Sequence, residues 1–199
     1  MNQYLEERVQ ISKQFVECHG FINKPVFKFT KSIEQALNDK NYVAALSLAL
    51  TLPEICTSLT SEDGKAGRSK YIKWFNDYVS SFYEYAVKKY SLEGRECYAL
   101  RCSVLHNGTH DISNAEVLRD IENAAKKFCF CAENFGNFRM RVNDTVLLNV
   151  EDFCSNLCNG VYLWYMDNCT NEHVDNSMSK IMQIHTSEFS PHPLMIIKP

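Results

Sequence analysis

Basic charge is scarce in this sequence. Lys and Arg number 21 against 24 Asp and Glu, for a net charge of −3. That balance counts against a protein that coats nucleic acid by unspecific attraction, while leaving room for a small local anion site. Long apolar runs are missing as well, since none approaches the ~20 residues of a membrane span. There is no Gly-rich phosphate loop, no GxSxG and no HExxH, so nucleotide-dependent enzymes and serine or zinc hydrolases have no support. Low-complexity segments and internal repeats are also lacking. The first residues, Met1-Asn2-Gln3-Tyr4-Leu5-Glu6-Glu7, are polar and acidic, and no secretory signal is expected.

What the chain has is an ordinary apolar content and many thiols. A length of 199 residues with 45% hydrophobic residues fits one domain with a sizeable core, or one domain with an appendage. The nine cysteines are odd in number and lie mostly in apolar periodic segments. Free thiols in a reducing cytoplasm are the expected state. Cys129, Cys131, Cys154, Cys158 and His173 are metal-ligating types, but their Cys-x-Cys and Cys-x3-Cys spacings are not those of zinc ribbons or fingers. No metal and no cofactor are expected.

Apolar spacing predicts a helix over 3–18 closed by Gly20, and a second over about 26–39 after Pro25. The run from Tyr42 to Leu52 is apolar nearly all round, which predicts a central, covered helix. Pro53 should bend or restart it, with Thr51 and Glu54 in capping-box spacing. Tyr71, Trp74, Phe75, Tyr78, Val79, Phe82, Tyr85 and Ala86 predict one long helix over 68–90. A second helix over about 92–107 should pack antiparallel to it. Ser113 and Glu116 predict a short helix over 114–126. Residues 127–132 and 138–142 read as a β-hairpin, with a third strand over 145–150. Helices over 151–168 and 172–187 follow, and the end, Pro191 to Pro199, reads as either a docked extended segment or a partner-binding tail. The fold class is α+β, predominantly α-helical, with a small antiparallel hairpin or meander in the C-terminal half. The natural division is 1–110 and 111–199, packed as one unit.

The chemistry concentrates in Cys97-Tyr98-Ala99-Leu100-Arg101-Cys102-Ser103-Val104-Leu105-His106-Asn107-Gly108. Ser91 reads as the N-cap of this helix and Gly108 as its stop. Three and four residues from Arg101 stand Cys97, Tyr98, Val104 and Leu105, so a guanidinium occupies an apolar stripe. It cannot lose its proton and is costly to bury alone, so a carboxylate, carbonyls or an anionic ligand must answer it. Glu54 is a candidate partner as well as a candidate cap. His106 lies about 140° further round the helix, an offset that favours a composite site across a two-fold axis. A cation beside Cys102 can activate its thiol. Glu96 can orient His106 or face solvent, and His110 can serve as a second acid-base group.

The segment "YALRCSVLHNG" resembles the signature of the HEPN superfamily, an Arg and a His separated by four residues. The resemblance rests on Arg101 and His106, with Tyr98, Leu100, Leu105 and Gly108 in support, and covers residues 97–108. Cys102 stands where that family typically has Asn. The pieces Leu52-Pro53-Glu54-Ile55-Cys56 and Tyr71-Ile72-Lys73-Trp74-Phe75 also resemble parts of small bacterial proteins with this motif. The resemblance implies a helical bundle, a homodimer and a metal-independent endoribonuclease, toxin-like or defence-related, without membrane or nucleotide cofactor. In it Arg101 grips the scissile phosphate and His106 moves the proton, with Tyr98, Glu54, His110, Ser103 and Cys102 as supporting residues. The alternative is a HEPN-like module without catalysis that dimerises and binds partners, favoured by Cys102 and the negative net charge.

Overall fold

The computed structural model describes residues 3–84, 91–132, 139–184, 189–192 and 195–198. Its first half is a run of helices whose ends follow local chemistry. Helix α1 (Gln3–Cys18) stops at Gly20, which takes the left-handed conformation at φ 70°. Helix α2 (Phe27–Asn38) begins just after Pro25. Asn41 caps α3 (Tyr42–Ala49) by accepting from the Ala44 N–H at 3.3 Å. Pro53 lies in the first turn of α4 (Leu52–Thr60). Helix α3 is less covered than its composition predicts. Ala45, Ala49 and Leu50 are buried, but Val43 is 77% exposed. Contrary to the expectation that no apolar run approaches such a length, α3 and α4 together make a stretch, Tyr42–Thr60, long and apolar enough by composition to cross a membrane. It is broken at Leu50-Thr51 and packs on α2, α5, α7 and α8.

The aromatic helix is shorter than predicted. Helix α5 covers Arg68–Tyr78, and Val79 leaves helical geometry. A 3-10 turn then runs over Ser80–Tyr83. Phe82 and Tyr83 are both buried, whereas a continuing α-helix would point adjacent residues about 100° apart. The remainder of the predicted helix, 85–90, falls outside the described residues. Helix α6 (Gly94–Asn107) takes its N-terminal bond from α5, where Asn76 Oδ1 accepts from the Gly94 N–H at 2.7 Å. Ser91 does not cap it. The helices are antiparallel: Asn76 meets Gly94 near one end, while Tyr71 meets Tyr98 further back along α5. Trp74 and Phe75 are buried as expected and Tyr78 is half-buried.

Residues 113–126 form a 3-10 turn at Glu116–Leu118 in place of the expected helix. The capping box is spent elsewhere: the Ser113 N–H donates to Asp111 Oδ1, and the Glu116 carboxylate pairs with Arg68 at 3.4 Å. The sheet also differs. Strand β1 (Lys127–Cys131) does not pair with β2 (Arg139–Val142). Strand β3 (Thr145–Asn149) lies between them, parallel to β1 and antiparallel to β2. The tight turn falls at Asn143, at φ 56°, between β2 and β3. Val146 and Leu148 are buried and Leu147 is half-buried, as suits a strand with neighbours on both sides. Helix α7 (Val150–Asn168), capped by Asn149, is the centre of the molecule, with 12 of its 19 residues buried. Helices α1 to α5 all pack on it. Helix α8 (Glu172–Met178) ends nine residues before the predicted 187, and β4 (Phe189–His192) pairs antiparallel with β5 (Met195–Ile197). The architecture is mostly helical with a three-stranded mixed sheet in the C-terminal half, an α+β fold.

Candidate functional site

From the last two turns of α6 a side chain reaches Glu54 in the first turn of α4. Gly108 stops α6 in the left-handed conformation, with the Gly108 and Thr109 N–H groups donating to the Val104 and Ser103 carbonyls. Ser103 is buried, and its hydroxyl bonds Thr109 Oγ1 and the Asp111 carbonyl, each at 2.6 Å. It fastens the helix end, and no bond among the described residues joins its hydroxyl to Arg101 or His106.

On the other side of that end, Arg101 answers two partners. Nη2 donates to Glu54 Oε2 across the α4–α6 contact. Nη1 donates to His106 Nε2 at 3.1 Å. A guanidinium has no acceptor, so His106 Nε2 must carry the lone pair here and the ring proton belongs on Nδ1. The side chain of Arg101 is 17% exposed and that of Glu54 42%. His106 is exposed. Burial opposes the charge on Arg101, but the Glu54 carboxylate and the neighbouring Cys102 outweigh it and hold the guanidinium above its usual pKa. Arg101 Nε is buried and has no hydrogen-bond partner among the described residues.

This geometry corrects two expectations. Glu54 is not the capping partner of Thr51, whose hydroxyl turns back to the Leu48 carbonyl. It is the acid that the apolar stripe around Arg101 demanded. The 140° offset does not separate Arg101 from His106 either. The angle is set near the helix axis, and a long arginine swings its end groups back across it. One chain therefore brings the two side chains within hydrogen-bond distance.

Tyr98 extends the site one turn back. It meets Tyr71 edge-on at 5.3 Å, and the Arg68 guanidinium lies over its ring at 6.0 Å. Burial, then a hydrogen bond to Cys102, pushes the Tyr98 hydroxyl up. The Cys102 thiol is half-buried against Tyr98 and Arg101. Arg68 was not singled out by the sequence, because it sits at the start of α5, 33 residues before the motif. Glu96 is buried and accepts from the Ala125 N–H at 3.3 Å. It therefore neither orients His106 nor faces solvent. His110 is exposed in the loop toward the sheet, and no bond among the described residues joins its side chain to Arg101 or His106. The cysteine group considered for metal is dispersed: Cys154 and Cys158 are buried in α7, Cys129 is exposed on β1, and His173 bonds the Ser61 carbonyl at 3.0 Å. No group of three or more His, Cys, Asp or Glu suited to a metal occurs among the described residues.

No protein-family model, no curated protein and no solved structure matches this chain.

Proposed function

We propose that this protein is a HEPN-type endoribonuclease that cleaves RNA without a metal through Arg101 and His106. The observation that carries the reading is the 3.1 Å contact between Arg101 Nη1 and His106 Nε2 at an exposed helix end. An incoming phosphate takes Nη1 and releases the Nε2 lone pair to the ribose 2′-hydroxyl. His106 accepts the hydroxyl proton as the 2′-oxygen attacks phosphorus. Arg101, kept in place by Glu54, holds the non-bridging oxygens as charge builds on them. The P–O5′ bond breaks, the departing 5′-oxygen takes a proton back from the imidazolium, and a 2′,3′-cyclic phosphate remains. The homodimer belongs to this proposal through the resemblance and the cytoplasmic setting through the expected free thiols, and neither is needed for the chemistry.

One observation favours a second reading. Glu54 and His106 already occupy both terminal nitrogens of Arg101, as a clamp between α4 and α6 would require. The protein is then a HEPN-like module for dimerisation and partner binding. Incubation with mixed RNA in excess chelator separates the two. Wild type should cleave, and Arg101→Ala and His106→Ala should each lose activity by at least about a hundredfold, within the range of a general acid-base group. Because one chain owns the whole pair, mixing the two inactive variants should restore nothing. Cleavage that survives both substitutions, or none by wild type, leaves the clamp.

A further inference from the structure

We propose that Tyr98 and Arg68 form a nucleobase-binding subsite beside the Arg101–His106 pair, in which one base of a single-stranded RNA stacks on the tyrosine ring beneath the guanidinium. The inference rests on the ribonuclease reading for its ligand class, and on separate residues for its geometry.

Tyr98 is half-buried and braced. Its ring packs on the buried Tyr71 in a T-shaped arrangement at an interplanar angle of 71°, so the core holds the ring in place. On the ring lies the Arg68 guanidinium at 6.0 Å from the centroid. Aromatic and guanidinium planes are the two surfaces on which proteins stack unpaired bases. Two stacking contacts of ~3.5–4.0 Å each need about 7–8 Å between the flanking planes. The Arg68 Cζ stands 6.0 Å from the ring centroid, so the guanidinium must move outward to admit a base. Arg68 has the freedom to shift, because its side chain is 51% exposed and its ion pair with the 65% exposed Glu116 is long at 3.4 Å, while its hydrogen bond to the Tyr98 hydroxyl ties it to the rim of the same ring. Such a surface pair contributes little and opens easily.

The spacing suits a nucleotide. Tyr98 precedes Arg101 by three residues, about 4.5 Å of helix rise and nearly one turn. A phosphate on Arg101 and its adjoining base on Tyr98 would thus lie on one side of α6. Stacking reads the π-face, so affinity should follow stacking surface, purines above pyrimidines, with weak discrimination otherwise.

The probe is the dinucleotide deoxyadenylyl-adenosine, whose missing 2′-hydroxyl prevents cleavage. Binding to the full chain is measured by calorimetric titration, and RNA cleavage is measured in parallel. Tyr98→Phe keeps the stacking ring and loses only the hydroxyl that bonds Arg68, so it should bind within about threefold of wild type. Tyr98→Leu and Arg68→Gln should each bind about tenfold more weakly, with KM raised to match and kcat within about twofold. Arg68 is exposed, so Arg68→Gln keeps the test decisive if Tyr98→Leu does not fold. Equal binding by wild type and Arg68→Gln, or no binding by wild type, overturns the subsite. Ring-dependent binding without any RNA cleavage supports the subsite and removes the ribonuclease. Cleavage that is indifferent to both substitutions does the reverse.

Discussion

Arg101 shows what one residue out of pattern can disclose. Its neighbours on α6 are apolar, so its need for a partner was legible from spacing alone. The identity of that partner was not. Glu54 stands 47 residues earlier, where a Thr three positions before it offered a cheap local explanation as a capping box. A contact across two helices depends on how they cross, which no window of sequence contains. The ion pair closes a half-buried guanidinium, and Glu54→Gln replaces its charged acceptor with a neutral one. A hydrogen bond between charged groups stabilises by roughly 1.5–3 kcal/mol. With Glu54 partly exposed, thermal unfolding should report a loss of about 1–2 kcal/mol. RNA cleavage should fall with it, because Arg101 loses its brace. An unchanged Tm together with unchanged activity would show that the pair neither stabilises nor positions. Arg68 marks the opposite limit of legibility, since nothing local distinguishes an arginine at a helix start.

Among the elements, helix stops were read best where glycine has a steric reason to be there. Gly20 and Gly108 each did what their chemistry predicts. Periodicity misjudged α5 because Phe82 fits the helical stripe and Tyr83 does not, whereas a 3-10 turn buries both. The sheet was misordered for a different reason. Alternation reveals that a segment is a strand, but only β3's burial beside both neighbours makes it the centre. The crossing of α5 and α6 gives a direct test. A Cβ at Gly94 would stand 2.4 Å from the Ile72 carbonyl oxygen, which is backbone and cannot rotate aside. Gly94→Ala should therefore cost about 1–3 kcal/mol as overpacking, despite alanine's better helix propensity. Denaturant midpoints measure it, and a midpoint equal to or above wild type would contradict so close an approach.

At the scale of the whole molecule, burial of ionisable groups sets a pH limit. Burial pushes Tyr78, Tyr162, Tyr165, Cys97 and Cys154 each up to about 12. In the unfolded chain the same groups ionise near their ordinary values, about 8.5 for Cys and about 10 for Tyr. Folding therefore withholds an ionisation that unfolding permits. The stability tied to their neutral forms is complete below about pH 8.5 and drains away between there and about 12. Melting curves should hold level from pH 7 to 8 and drop steadily above about 9. A Tm maintained through pH 11 would refute this. The nucleus of that burial is α7, and its position in the chain carries a consequence for synthesis. At ~5–20 residues per second, the ribosome releases α1 to α5 several seconds before residues 150–168 exist to fill the space between them. The nascent chain must wait with its apolar faces open, and a message truncated ahead of α7 yields a polypeptide suited to chaperones and proteases.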